Sequence, residues 1–245
     1  MARLGRRSER QTRKPRRWPK VLWRVLRWPV RFCTGLLIFA LLWVWSYRVI
    51  DPPGGIYMAS EAWRLGHIDQ EWRDLDQISP QLARTVIAAE DARFCTHNGF
   101  DFIAIQAALK ANEQGKRLRG GSTITQQVAK NVFLWHERSW VRKGLEAGFT
   151  LLIEVLWPKR RILEVYVNMA EFAPGVFGAE AAARWHFDRS AASLSLRQAA
   201  LLAATLPGPK TRSARKPSAF MRKRAHAIAD GAEKLRQNGQ ASCVS

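Results

Sequence analysis

The sequence predicts a mainly α-helical domain that follows one membrane-spanning helix. Three observations support this fold class: an uncharged apolar run near the N-terminus, helical periodicity over most of the remaining chain, and the lack of a strand-period segment of convincing length. At 245 residues the chain has room for one ordinary domain and a short appendage. The roughly 190 residues that follow the apolar run are enough to bury a sizeable core.

The membrane-spanning helix is predicted over Val30–Ile50. The stretch from Phe32 to Tyr47 has no charged residue, and about 20 residues of helix cross the hydrocarbon layer. Arg31 and Arg48 would lie near the two ends, where long basic side chains reach the interface. A buried core helix is the weaker alternative, because a core helix seldom follows so basic a leader. A cleaved signal peptide usually has a shorter apolar region.

The basic leader sets the predicted orientation. The formal net charge is +20, and residues 1–31 hold twelve Lys/Arg against one acid, Glu9. Excess positive charge before a span predicts a cytoplasmic N-terminus. We therefore expect a basic cytoplasmic leader (1–29), a transmembrane anchor (30–50) and a domain outside the cytoplasm (51–245). Charge alone does not distinguish nucleic acid, anionic lipid and phosphate-bearing substrates as partners.

Caps and apolar periodicity predict the helices of the domain, after a linker at Asp51–Gly55. In chain order these helices run from Ser79-Pro80 to about Glu90, from Phe102 to Lys110, from a Ser122 cap to about Leu134, from a Ser139 cap to a residue before Pro158, onward from Pro158, from Ser195 to Leu206, and from Ser218 to Gln237.

The three cysteines give no disulfide framework. Cys33 lies within the predicted span, Cys95 in an apolar context and Cys243 in the tail. A bridge between Cys95 and Cys243 would suit an oxidising compartment, but no feature of the sequence argues for it. We expect none.

Ionisable residues cluster where the helix ending at Glu90 is predicted to stop. Glu90, Asp91, Arg93 and His97 follow its apolar face. A carboxylate at such a position is partly desolvated by its own helix, which raises its basicity toward the range of a general base. An ordinary polar helix end with a local Glu–Arg pair explains the same residues, so both interpretations stay open.

A glycine run precedes the next predicted helix. Gly120–Ser122 lets bare backbone N–H groups approach an anion at a helix N-terminus, with Gln126, Gln127 and Lys130 further along. A simple turn and cap is the commoner use of this pattern.

A cationic cluster lies on the following helix. Arg142 and Glu146 are four residues apart, which is typical of a surface ion pair. Lys143 and Glu146 are three apart and could equally face a cleft.

Together with the run Lys159–Asn168, these clusters closely resemble the peptidoglycan glycosyltransferase domain, the family 51 glycosyltransferases. The patterns E-D-x-x-F-x-x-H-x-G-x-D, G-G-S-T-I-T-Q-Q-x-x-K-N, R-K-x-x-E and K-x-x-I-L-E-x-Y-x-N occur in this order from Glu90 to Asn168. Beyond Asn168 the resemblance weakens, and we assign no roles there. The length and the single anchor resemble the monofunctional members, which have no transpeptidase domain. The S-x-x-K match at Ser213–Lys216 is a coincidence.

The resemblance implies a lysozyme-like α fold and a polymerising reaction. The donor is a lipid-linked glycan strand on undecaprenyl pyrophosphate and the acceptor is lipid II. Glu90 would be the general base and Glu146 the second active-site glutamate, which orients Lys143 or Arg142. The expected substrate-binding residues are Asp91, Ser122, Gln126, Gln127, Lys130, Arg142 and Lys143. No cofactor is required; a divalent metal (Mg²⁺ or Mn²⁺) at the pyrophosphate is left open, with no ligands assigned.

The resemblance also implies a location and partners: the bacterial inner membrane, a periplasmic catalytic domain, other cell-wall synthesis or division proteins, and no nucleic acid. Two other classes of protein are weaker alternatives. A lysozyme-like glycan-cleaving enzyme has a neutral leaving group that needs an acid, and so has less use for a cationic cluster. A non-enzymatic basic membrane-anchored binding protein leaves Glu90, Gly120–Gln127 and Glu146 unexplained.

Overall fold

The computed structural model describes residues 20–113, 121–137 and 139–244. The leader up to residue 19 and the glycine loop up to residue 120 therefore lie outside the described residues, and what the sequence predicts for them stays a prediction. The chain divides into two compact units, residues 1–42 and 43–245.

A long N-terminal helix, α1 (Lys20–Ser46), covers most of the predicted span. Its stretch Arg27–Ser46 is long and apolar enough to cross a membrane, and only 6% of that stretch is buried. A core helix would have one face covered, so exposure along this length disfavours the core-helix alternative. The helix ends at Ser46 rather than at the predicted Ile50, and the three-part division of the chain stays a prediction.

The second unit is mainly helical, which confirms the predicted fold class. Its helices are α2 (Ile56–Leu65), α3 (Pro80–Glu90), α4 (Phe102–Glu113), α5 (Ile124–Phe133), α6 (Trp140–Leu156), α7 (Lys159–Met169), α8 (Ala179–Phe187), α9 (Leu196–Thr205) and α10 (Ala219–Gln237).

Local sequence signals explain most of these helix starts. Pro80 occupies the first turn of α3, and the hydroxyl of Ser139 accepts a hydrogen bond from the Arg142 N–H at 3.1 Å. One predicted cap is wrong. Helix α5 is capped by Thr123 rather than Ser122, because the Thr123 side chain accepts from the Gln126 N–H while the Gln126 side chain accepts from the Thr123 N–H.

A small sheet was not predicted. Strands β1 (Asp69–Gln70), β2 (Glu171–Ala173) and β3 (Val176–Phe177) pair in the order β1-β3-β2. Strand β3 is parallel to β1 and antiparallel to β2. Segments of two or three residues are too short to show a period of two, so their pairing depends on tertiary contacts. Helices α2 and α8 were also missed.

The core forms where α3 packs against α9 and α10, and where α5 packs against α6 and α7. Fully buried side chains from these helices include Leu82, Ile87, Ile124, Ile153 and Ile162. The packing brings the C-terminal end of α3 beside the middle of α5, and this meeting point positions the candidate site.

Aromatic side chains hold the last residues of α1 against the rest of the second unit. The Trp43 ring lies 5.1 Å from that of Phe133 and 6.2 Å from that of Phe149. The Trp157 indole N–H donates to the Val44 carbonyl at 2.7 Å. These contacts bury apolar surface at the point where the domain begins.

The expectation of no disulfide is wrong. Cys95, in the short 3₁₀-helix Phe94–Thr96, is bonded to Cys243, which lies 148 residues further along. The C-terminal 3₁₀-helix Ser242–Val244 returns to the domain, where Val244 is buried and its carbonyl accepts from the Arg160 guanidinium at 3.2 Å. Such a return is a tertiary feature that cysteine spacing does not reveal.

Candidate active site

Glu90 is the last residue of α3, and its carboxylate is partly buried beside α5. The Gln127 amide N–H donates to Glu90 Oε2 at 2.9 Å. Burial raises the pKa of the Glu90 carboxyl; the Gln127 hydrogen bond and the positive charges of Arg224, Lys130 and Arg212 oppose that shift. The result is a carboxylate that is more basic than an exposed glutamate.

Gln127 has a second hydrogen-bond partner, Tyr166. The Tyr166 hydroxyl, on α7, donates to Gln127 Oε1 at 3.2 Å. Tyr166 is 1% exposed, and burial, followed by the negative charge of Glu90, raises its pKa. Its hydroxyl therefore stays protonated and available as a donor.

In the cationic cluster on α6, Arg142 and Glu146 are buried, whereas Lys143 is exposed. Arg142 is 8% and Glu146 3% exposed, and Arg142 Nη1 lies 2.6 Å from Glu146 Oε2. The Lys143 ammonium pairs with the other oxygen, Glu146 Oε1. The ion pair that the spacing suggested is therefore present, but the surface location that usually goes with it is wrong.

Lys130 faces the same cluster from α5. Burial lowers the pKa of its ammonium; the charge of Glu146 opposes the shift, whereas Arg142 and Lys143 add to it. Three cations close to one carboxylate leave an excess of positive charge in a partly dehydrated space. Such a space favours an anionic group that carries more than one negative charge.

One cavity brings most of the predicted residues together. Its volume is about 350 Å³. The lining consists of Ser122, Gln126, Gln127, Lys130, His136, Arg142, Lys143 and Glu146. We call this space the cationic cavity. Seven of its eight lining residues were predicted as site residues, although Gln126 also has the capping role in α5.

A second cavity adjoins the first and shares Gln127, Lys130 and His136 with it. Its volume is about 330 Å³. Other residues of its lining are Tyr57, Asn131, Tyr166, Met169, Glu171, Leu206, Pro209, Lys210 and Thr211. We call it the adjoining cavity. Glu90 belongs to neither lining; its carboxylate is linked to both cavities through Gln127, which lines both and donates to it.

His136 was missed by the sequence analysis, as were Tyr57 and Lys210. The imidazole of His136 stacks on the Tyr57 ring, with 3.7 Å between the ring centroids. Burial and the charges of Lys130, Arg142 and Lys210 lower the pKa of His136 to about 4, although the charge of Glu61 opposes them. None of the three residues belongs to a recognised pattern, so only their convergence in space reveals them.

Asp91 lies outside the lining of both cavities. Its carboxylate is buried, lies 2.8 Å from His97 Nε2, and accepts from the Ile124 N–H at 3.1 Å. These contacts tie the end of α3 to the first turn of α5, and they do not support direct substrate contact by Asp91.

The geometry defines a class of protein. A basic carboxylate beside a cavity with three cations is suited to group transfer, in which the carboxylate takes a proton while the cations stabilise an anionic leaving group. A cavity that must bind a neutral leaving group gains little from three cations.

Comparisons with known proteins agree with this class. The family model described as Transglycosylase matches residues 59–233. A protein of Jannaschia sp. (strain CCS1) named biosynthetic peptidoglycan transglycosylase is 51% identical over 245 residues, covering 100% of both chains. Proteins with the same name from Rhodospirillum centenum and Caulobacter vibrioides are 51% and 52% identical, covering 90% and 81% of this chain and 96% and 87% of their own. The chain belongs to the transglycosylase family, which confirms the resemblance and its lysozyme-like fold.

Proposed function

We infer that the chain is a peptidoglycan glycosyltransferase that polymerises lipid II into linear glycan strands and releases undecaprenyl diphosphate. The family match over residues 59–233 and the relatives' shared name support the activity. One structural observation supports the mechanism: a carboxylate made more basic by burial, Glu90, lies beside a cavity that concentrates positive charge.

The proposed transfer is a single inverting displacement. Glu90 takes the proton of the acceptor 4-hydroxyl as that oxygen attacks the anomeric carbon of the donor strand. The new bond to the acceptor oxygen forms while the bond to the pyrophosphate oxygen breaks, and the electron pair departs with the diphosphate. Attack from the face opposite the leaving group converts the α linkage to β without a covalent enzyme intermediate.

The cationic cavity is the proposed site for the leaving diphosphate. Diphosphate is already a good leaving group, so it needs charge stabilisation more than a proton. Lys130, Arg142 and Lys143 can supply that charge without rearranging, because Glu146 holds two of them in place. Ser122 and Gln127 line the same cavity and offer hydrogen bonds.

The cationic cavity does not fit a divalent metal as it stands. Both carboxylate oxygens of Glu146 are paired with cations, and the other charged groups of the lining are Lys130, Arg142 and Lys143. A metal ion needs oxygen ligands that are not already neutralised. No step of the proposed mechanism depends on a metal.

We further propose that the domain faces the periplasm from an inner-membrane anchor. Support comes from the apolar stretch Arg27–Ser46 and the basic leader before it. The Cys95–Cys243 disulfide is also typical of an oxidising compartment. Anchoring suits the reaction, because the lipid tails of both substrates stay in the bilayer. Other cell-wall synthesis or division proteins stay predicted partners.

The test is to give the purified full chain, in detergent, labelled lipid II in one reaction and polymeric sacculus in another. We expect glycan strands from lipid II, sized on a gel, and inhibition by a phosphoglycolipid mimic of the transition state. Cleavage of sacculus without consumption of lipid II would instead favour the glycan-cleaving alternative.

A further inference from the structure

Gln127 forms hydrogen bonds with two groups of the site at once. On one side its amide N–H donates to Glu90 Oε2 at 2.9 Å, and on the other its carbonyl accepts from the Tyr166 hydroxyl at 3.2 Å. Tyr166 and Glu90 come from different helices, α7 and α3. A side-chain amide has one donor end and one acceptor end, and the two contacts use both.

The direction of the amide decides which form of Glu90 it stabilises. With the NH₂ group toward Glu90, the hydrogen bond favours the ionised carboxylate that a general base requires. With the carbonyl oxygen toward Glu90, the same amide would favour the protonated acid.

Tyr166 favours the first direction. Its side chain is buried, and a buried hydroxyl without a hydrogen-bond acceptor is costly. In the described part of the chain this hydroxyl donates to the Gln127 carbonyl oxygen, and turning the amide round would take that acceptor away from its proton. The present geometry satisfies the hydroxyl, the amide and the carboxylate together.

We propose that Tyr166 is a positioning residue for the transfer reaction, whose hydroxyl fixes the Gln127 amide with its NH₂ group toward Glu90. The inference rests on the proposed role of Glu90 as the base and adds a residue that controls it. Tyr166 acts through Gln127 and not on the reacting atoms.

The first test compares the pH dependence of kcat and KM, with lipid II as substrate, for the wild type and Tyr166→Phe. Without the Tyr166 hydroxyl, the Gln127 amide can turn its carbonyl oxygen toward Glu90. The Glu90 carboxyl then keeps its proton to higher pH. The acidic limb of the profile should move upward by about one pH unit, lowering turnover about tenfold on that limb and much less at alkaline pH. KM should change little.

Tyr47→Phe is the matched control. Tyr47 packs against Phe133, with 5.8 Å between the ring centroids, away from both cavities, and its profile should coincide with the wild type. If the limb of Tyr166→Phe stays in place, or if activity falls equally at every pH, Tyr166 only supports the fold and the proposal is overturned.

A double-mutant cycle with Gln127→Leu provides the second test. If Tyr166 acts through the amide, adding Tyr166→Phe to Gln127→Leu should cause no further loss, whereas independent effects would multiply. Multiplying effects would contradict the proposal. The variant Glu90→Gln distinguishes failure of the base assignment from failure of the Tyr166 proposal. Full activity in Glu90→Gln overturns the assignment of Glu90 as the base. If Glu90→Gln is inactive but the acidic limb of Tyr166→Phe does not move, only the role of Tyr166 is overturned.

Discussion

The two glutamates of the site lie in opposite electrostatic environments. Glu90, at the end of α3, has an uncharged amide as its hydrogen-bond partner, and burial raises its pKa. Glu146, in the middle of α6, is held between Arg142 and Lys143. One carboxylate has been made easier to protonate, and the other is neutralised by direct ion pairs.

This difference separates the two roles within one site. Both carboxylate oxygens of Glu146 are occupied by cations, so neither is free to meet a substrate hydroxyl. A carboxylate beside an amide can accept a proton at small cost. We therefore expect substitutions at Glu90 to affect proton transfer, and substitutions around Glu146 to affect the leaving group.

Glu90→Gln should have the largest effect. The amide keeps the shape of the side chain but cannot accept the hydroxyl proton, so polymerisation should fall about 10²-fold or more while the fold is retained. Steady-state rates with labelled lipid II and circular dichroism measure the two properties. Glu233→Gln, on α10 outside both cavities, is the matched control. Equal rates for the two variants would refute the assignment.

Lys143→Ala should have a smaller effect, about tenfold on turnover, because two other cations remain in the cavity and the Lys143 side chain is 46% exposed. Removal of an exposed lysine elsewhere, Lys234→Ala, should leave turnover unchanged. The comparison needs kcat and KM for both variants. If they behave alike, Lys143 has no role at the diphosphate.

Replacing Cys95 and Cys243 together by Ser should lower stability and leave the chemistry intact. The bond closes a loop with a sequence separation of 148, and the chain-entropy model attributes on the order of 5 kcal/mol to such a loop. Thermal unfolding in detergent, with Cys33→Ser as control, measures the loss. A double variant that unfolds at the wild-type temperature would show that the bridge contributes nothing.

The smallest expected effect concerns the titration of the His136 imidazole and not the rate of the reaction. Because burial and neighbouring cations lower its pKa to about 4, the imidazole should stay neutral through the working range of the enzyme. NMR of histidine-labelled protein can follow each ring against pH. A midpoint for His136 near the ordinary value of 6.5 would contradict the environment described for the cavity.

The sequence predicted features that depend on neighbouring residues in the chain, and it did not reveal features that depend on tertiary contacts. The caps at Ser139 and Ser218 and the proline at position 80 fixed helix boundaries, because each signal acts within one turn. The residues of α5 and α6 that line the cationic cavity could be predicted as candidates because they fall in the family's patterns. Nothing local could reveal the return of Cys243 to Cys95.

The same limit explains the missed parts of the site. His136 and Lys210 reach the adjoining cavity from segments that follow different helices, and Tyr57 reaches it from α2. Their side chains have no spacing relation in the chain, so only the packing of α2, α5 and α9 brings them together. Asp91 shows the converse: its position in a motif predicts substrate contact, which stays a prediction, and in the structure its carboxylate lies beside His97 and accepts from the Ile124 N–H.

The most direct test of the central claim is the pH profile of the residual activity of Glu90→Gln. If the Glu90 carboxylate is the base, the wild-type acidic limb reports its protonation, and the residual polymerisation of the variant should be flat across that range. An acidic limb that persists unchanged in Glu90→Gln would mean that another group accepts the proton.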